Sequence, residues 1–295
     1  MSVATEASSP PDRCGVCGGS GQPFRSKHGF TVLRCVRCNN AYVPESTVPA
    51  DLEDMYSKGY FEGEQSTGYP SYLADSPLIL ENFKSRLAAI ERLGTRGRRL
   101  LDVGAAYGLF LKVARDAGWD ASGVEIAPDC AVEAAKLSGA PVVCGDFTEV
   151  PLTGPFDVIV MLDVIEHFRD PVQVMRRAFE LLAPSGYLVI DTGDFDTAWA
   201  RILGNRWYFL DPPQHLFYFS RRGLLSALRD AGFLGEIRVT RPGRSVSFTN
   251  VLFKLAAAMP SGIVKDGLSR AARRGVPGSL YLNFGDGMLV AARRD

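Results

Sequence analysis

Two sets of residues in this sequence have the types and spacing to do chemistry. The first is four cysteines in two C-x2-C knuckles: Cys14 and Cys17 in "RCGVCGG", Cys35 and Cys38 in "RCVRCNN". Their small, turn-forming neighbours let the chain fold around one ion while four thiolates converge, the pattern of a structural zinc site without an open position. The second is Asp163, Glu166 and His167 in "MLDVIEHFRDP", where an apolar run stops. A carboxylate beside an imidazole can move a proton, and the same residue types can hold a divalent ion. Polar residues after a buried strand also serve as helix caps, so the elements around the trio must decide its role.

Those elements are legible in outline. After a tail over residues 1–12, residues 13–50 read as a zinc ribbon, with "SGQPFRSKHGFTVL" as a β-hairpin between the knuckles and "NAYVPE" as the strand that leaves it. Two disulfides are the alternative, but they need an oxidising compartment. The start "MSVATEASSPPDR" has neither a basic region nor an apolar run, so no secretory signal is read and a cytoplasmic protein is expected. Cys130 and Cys144 lack a partner pattern and are expected to be buried small hydrophobes. Residues 51–97 begin as a tyrosine-rich lid (Tyr56, Tyr60, Phe61, Tyr69, Tyr72) and end in an amphipathic helix with Ile79, Phe83, Leu87 and Ile90 on one stripe. From residue 98 to 295, apolar strands alternate with helices, which predicts an α/β fold with a doubly wound, mostly parallel sheet.

In such sheets ligands lie at the C-terminal strand ends, and acids recur there. "LDVGAAYGLF" places Asp102, Gly104 and Gly108 between the first strand and its helix, a tight turn that opens onto a helix N-terminus. The spacing is not G-x-G-x-x-G, which removes the best support for a nicotinamide cofactor. Glu125 ends strand two, where an acid can bind ribose hydroxyls; Asp146 ends strand three, where it can accept from an adenine amino group while Phe147 packs on the ring.

These motifs together resemble the class I S-adenosylmethionine-dependent methyltransferases. "LDVGAAYG" resembles their glycine-rich first motif, although Ala106 stands where many members have a middle glycine; "GDF" resembles the adenine turn, and "FDVIVMLDVIEHFRDP" the strand-four motif. "YLNFGDGMLVAARRD" resembles their antiparallel last strand. The resemblance implies a seven-stranded Rossmann-like sheet and a cofactor site of Asp102, Gly104, Ala105, Gly108, Glu125, Ile126, Asp146, Phe147 and Leu162. A ribbon, a tyrosine-rich connector and this domain are together similar to a subgroup that includes deoxysugar C-methyltransferases, which carry a further C-terminal domain. D-x-x-E-H is also similar to the E-x-x-E-H of ubiquinone-pathway O-methyltransferases and of small-RNA terminal 2'-O-methyltransferases, where the motif and a later histidine bind a divalent ion. Two roles follow. In one, His167 is a general base oriented by Glu166, with His215 of "DPPQHLFYFS" closing over the same pocket. In the other, Asp163, Glu166, His167 and His215 hold an ion such as magnesium. Asp163, a methylene shorter than glutamate, favours the base.

The expected reaction is therefore methyl transfer to a small-molecule acceptor, a hydroxyl of a sugar or of a natural-product intermediate. Equal numbers of basic and acidic residues, 33 of each, provide no global field for nucleic acid. Five basic residues of the ribbon (Arg13, Arg25, Lys27, Arg34, Arg37) keep RNA methylation as an alternative, and a noncatalytic ribbon scaffold is a second. "VLFKLAAAMPSGIV" is interrupted by Lys254 and Pro260 and is too short to span a bilayer. Oligomeric state is not written in any motif.

Overall fold

The computed structural model describes residues 12–49, 76–258 and 262–295. The tyrosine-rich segment expected to act as a lid lies outside the described residues. The ribbon hairpin pairs β1 (Gly21–Lys27) with β2 (Phe30–Cys35), turning at His28 and Gly29, which both have positive φ. A short β3 (Ala41–Tyr42) follows. Helix α1 (Ser76–Glu91) buries Leu87 and Ile90 and half-buries Ile79 and Phe83, the stripe its spacing predicts.

The body then alternates as expected: β4 (Arg99–Val103), α2 (Leu109–Asp116), β5 (Asp120–Glu125), α3 (Pro128–Ser138), β6 (Val142–Cys144), β7 (Phe156–Leu162), α4 (Pro171–Leu181) and β8 (Leu182–Gly193). Cys130 is buried in α3 as expected, whereas Cys144 is exposed because the short β6 lies at the sheet edge. Strand β8 starts five residues before "YLVIDTG", since Leu182 already pairs with Phe156 ahead of a register shift. Next come α5 (Ala198–Leu203), β9 (Phe217–Tyr218), α6 (Arg221–Asp230), β10 (Ile237–Thr240), β11 (Arg244–Ser247), α7 (Phe248–Ala258), α8 (Ile263–Arg274), β12 (Ser279–Leu282) and β13 (Gly287–Arg293).

Seven strands form one sheet in the order β10-β13-β8-β7-β4-β5-β6, with β13 antiparallel to both of its neighbours. Alternation divides the core between its faces. Leu100, Val158 and Val160 pack with α1 and α2, while Leu101, Ile159 and Met161 face the cluster that contains Trp207, Phe219 and Phe233. The C-terminal motif is two strands rather than one: Tyr281 and Leu282 belong to β12, which pairs with β11, and only Gly287–Arg293 joins the main sheet. Thus β11, α7, α8 and β12 form an insertion between the last two sheet strands. The ribbon sheet has the order β1-β2-β3-β9, so its fourth strand comes from the body.

Candidate functional site

The C-terminal ends of β4, β5, β7 and β8, the turn after β6 and the insertion enclose one cavity of about 630 Å3, within the range of small-molecule clefts. At one end Gly104 and Ala105 both donate backbone N–H to the Val124 carbonyl, at 2.8 and 3.1 Å. Gly104 has φ of +75°, and a Cβ there would stand 2.6 Å from Val164 Cγ2, so this turn requires glycine. Ala106 has φ of +46°, a conformation that costs an L-residue about 1–2 kcal/mol; this explains why a glycine suits the position. Glu125 Oε2 accepts from the Ala106 N–H at 2.7 Å and Oε1 from the Ala127 N–H at 2.9 Å. Burial pushes the Glu125 pKa up against these bonds, which favour its charged form. Asp146 Oδ1 accepts from the Thr148 N–H and hydroxyl.

Asp102, Gly104, Ala105, Glu125, Ile126, Asp146, Phe147 and Leu162 all line this cavity. The glycine cradle, two strand-end carboxylates and a buried phenyl ring fit a nucleoside-bearing cofactor. Gly108 is the exception. It caps α2, and a Cβ there would meet the Ala134 carbonyl oxygen at 2.7 Å, so its smallness serves packing against α3 rather than contact with a ligand.

Beyond Leu162 the chain turns at Asp163, whose φ is +54° and whose N–H donates to the Asp191 carbonyl at 2.8 Å. A single 3-10 turn, Ile165–His167, follows. Glu166 is fully buried: Oε2 accepts from Thr192 Oγ1 at 3.0 Å, while Oε1 has no hydrogen-bond partner among the described residues. Burial, aided by the neighbouring Asp163, raises its pKa well above the ordinary glutamate value and so favours its protonated form. His167 Nδ1 lies 2.9 Å from the Gln214 carbonyl, which can only accept, so Nδ1 carries the proton. Burial lowers the His167 pKa to about 4 against the pull of the Gln214 and Asp163 carbonyls. The ring is therefore far from the ordinary imidazole value of 6.5.

His215 also departs from expectation. It does not line the cavity; it packs behind His167, ring centroids 4.8 Å apart and nearly perpendicular, with its Nδ1 2.6 Å from the Phe209 carbonyl. Burial and the adjacent His167 hold its pKa near 3. Ligand atoms of Glu166, His167 and His215 fall within 4.8 Å of one another, but Asp163 is not in that group. Two imidazoles and a carboxylate suit a transition ion better than magnesium, whose preference is for oxygen. Only His167 of the three faces the cavity.

The cavity lining also contains residues the motifs did not reveal. Arg86 Nε lies 2.5 Å from Asp191 Oδ2 in a buried ion pair, and its Nη1 donates to the Gly243 carbonyl at 3.1 Å. Asn82, one turn earlier in α1, exchanges two hydrogen bonds with the Ser245 backbone at 2.7 and 3.0 Å. Arg244 Nη2 donates to the Tyr208 hydroxyl at 3.0 Å. The available signals were Asp191 at a strand end, the rule that found Glu125, and Arg86 inside an apolar stripe.

In the ribbon, Sγ atoms of Cys14 and Cys38 are 3.6 Å apart and those of Cys17 and Cys35 3.4 Å. These separations exclude disulfides and approach the roughly 3.8 Å edge of a tetrahedron with Zn–S of about 2.3 Å. The four thiols therefore fit one tetrahedral ion.

A family profile described as a methyltransferase domain matches residues 76–235, more than half of the chain. The chain belongs to the methyltransferase domain family. An S-adenosylmethionine-dependent methyltransferase of Archaeoglobus fulgidus shares this methyltransferase fold, with TM-score 0.51 and 18% identity over 75% of this chain and 98% of that one. The ubiquinone biosynthesis O-methyltransferase of Bordetella avium is 28% identical over 127 residues, covering 40% of this chain and 50% of that protein. Its counterpart in Xanthomonas oryzae is 30% identical over 109 residues, covering 34% and 45%. The methyltransferase chain thus spans about half the length of the curated relatives it matches. Among its described residues no helix is long and apolar enough to cross a membrane.

Proposed function

We propose that the protein transfers the methyl group of S-adenosylmethionine to a hydroxyl of a small molecule, a sugar or natural-product intermediate, with His167 as general base. The observation that carries this reading is the cavity whose lining brings the strand-end carboxylates and His167 together with Arg86, Tyr208 and Arg244. The sulfonium, when bound, supplies an activated methyl. The cradle from Gly104 to Ala106, with Glu125 and Asp146, binds and orients the cofactor. His167, held neutral by burial and with its proton on Nδ1, keeps Nε2 as the nitrogen that can take the acceptor's proton. The wall of Asn82, Arg86, Tyr208 and Arg244 orients a polyhydroxylated acceptor. Names of the ubiquinone-pathway relatives support transfer to oxygen.

The ribbon, with zinc on Cys14, Cys17, Cys35 and Cys38, is structural. Three of its five basic residues are engaged with the body, Arg25 and Lys27 through backbone carbonyls of residues 200–210 and Arg34 through Asp196, while Arg13 and Arg37 stay exposed beside the knuckles. A second reading, a transition ion on Glu166, His167 and His215, draws on Glu166 Oε1, which lacks a hydrogen-bond partner among the described residues.

The test is labelled S-adenosylmethionine incubated with the protein and a metabolite extract, followed by mass spectrometry. With the acceptor in hand, His167→Ala is expected to lower kcat roughly a hundredfold, with cofactor affinity retained by calorimetry. Near-normal turnover would return "DVIEH" to a strand end and a turn.

A further inference from the structure

The segment between Trp207 and Phe219 carries Gln214 and His215, and the ribbon grips it at both ends. At its start, Lys27 Nζ donates to the Leu210 carbonyl, and His28 Nε2 stands 3.4 Å from the Asp211 carboxylate. At its end, β3 pairs with β9, placing Ala41 opposite Tyr218 and Tyr42 opposite Phe217. The Val43 N–H donates to the Leu216 carbonyl at 2.8 Å, and the Leu216 N–H donates to the Glu166 carbonyl at 2.9 Å. One hydrogen-bonded ladder therefore runs from β2 through β3 and Leu216 to the turn that holds Glu166 and His167.

Asn40 joins the second cysteine knuckle to this ladder. It is fully buried; its Oδ1 accepts from the Ser220 N–H at 3.1 Å, and its carbonyl accepts from the Cys35 N–H at 2.8 Å. Gly223 makes the room, since a Cβ there would stand 1.8 Å from Asn40 Oδ1. The body is thus shaped to receive this one side chain of the ribbon, 180 residues away in sequence.

We propose that the ribbon is the positioning element of the histidine pair, with Asn40 and Lys27 as its two anchor points. By fixing the segment around residues 210–220 it sets the Gln214 carbonyl against His167 Nδ1, and so selects the tautomer whose Nε2 can take a proton. The Asp163 carbonyl also acts on this ring, but it belongs to the ring's own turn; the Gln214 carbonyl is the acceptor whose position the ribbon sets. The proposal extends the reading of His167 as base, but it concerns a hydrogen position that is observable without any acceptor.

The experiment is a long-range 1H–15N imidazole spectrum of the full-length, uniformly 15N-labelled protein, zinc-loaded and free of other divalent ions. The three histidines, His28, His167 and His215, are assigned by single substitution. His167 is expected to show a protonated Nδ1 and a bare Nε2. Asn40→Ala is expected to keep S-adenosylmethionine affinity and stoichiometric zinc, while the His167 signals average between tautomers or broaden. Should Asn40→Ala lose cofactor binding and so prove misfolded, Lys27→Met makes the same test from a partly exposed position. A His167 tautomer unchanged in whichever folded variant is measured overturns the proposal. Failure of the base reading would appear separately, as normal turnover in His167→Ala with the tautomer result intact.

Discussion

Replacing His167 by Gln provides a test of how strongly the fold holds this imidazole neutral. The ring's pKa falls from its usual 6.5 to about 4 because burial disfavours the cation more than the Gln214 and Asp163 carbonyls favour it. A depressed histidine pKa means that the unfolded chain binds a proton which the folded chain refuses. Stability from this group is therefore complete above pH 6.5 and is lost as pH falls toward 4. Between pH 7 and pH 5 the two titration curves differ by about 2 kcal/mol. The assay is urea denaturation of wild type and His167→Gln at matched pH values. Subtracting the two cancels the buried carboxylates, whose raised pKa values work in the opposite direction. The wild type is expected to lose about 2 kcal/mol relative to the variant over that interval. A difference that stays flat would mean that the folded ring titrates in the ordinary imidazole range, and one in which acid favours the wild type would mean that the fold stabilises its cation. Either outcome would refute the reading that burial holds this base neutral.

Three further outcomes follow from the same geometry. Cys35→Ser is expected to abolish stoichiometric zinc in metal analysis of the purified protein, because a tetrahedral thiolate site tolerates no missing ligand; zinc retained at one per chain would remove the ribbon assignment. Glu125→Ala should weaken S-adenosylmethionine binding in calorimetry by about 1.5–3 kcal/mol, the usual worth of hydrogen bonds to a charged group, and an unaltered affinity would place the ribose elsewhere. Arg86→Met should destabilise the protein by about 3–5 kcal/mol in denaturant, since it leaves Asp191 buried without its cation. Pairing it with Asp191→Leu should recover part of that loss; no recovery would show that the bond to the Gly243 carbonyl, not the charge pair, is what Arg86 supplies.

The sequence by itself determined whatever depends on near neighbours along the chain. C-x2-C spacing brings two thiols to one ion from any hairpin, and the 3.6-residue stripe of α1 buries Leu87 and Ile90 wherever that helix lies. Acids at strand ends, Glu125 and Asp146, were legible because a parallel sheet has one ligand-binding edge. Tertiary structure decided which of these polar residues meet. Gly108 proved to be a packing residue and His215 a support behind the cavity wall, since their roles depend on Ala134 and on the ring of His167. Arg86 finds Asp191 across 105 residues, and Asn40 finds Ser220 across 180. No local period encodes such pairs; they exist only because two buried surfaces close and each buried polar atom must find a partner there. The same closure buries Glu166 and much of His167, so it raises the pKa of the first and lowers that of the second, which the motif "DVIEH" alone left open.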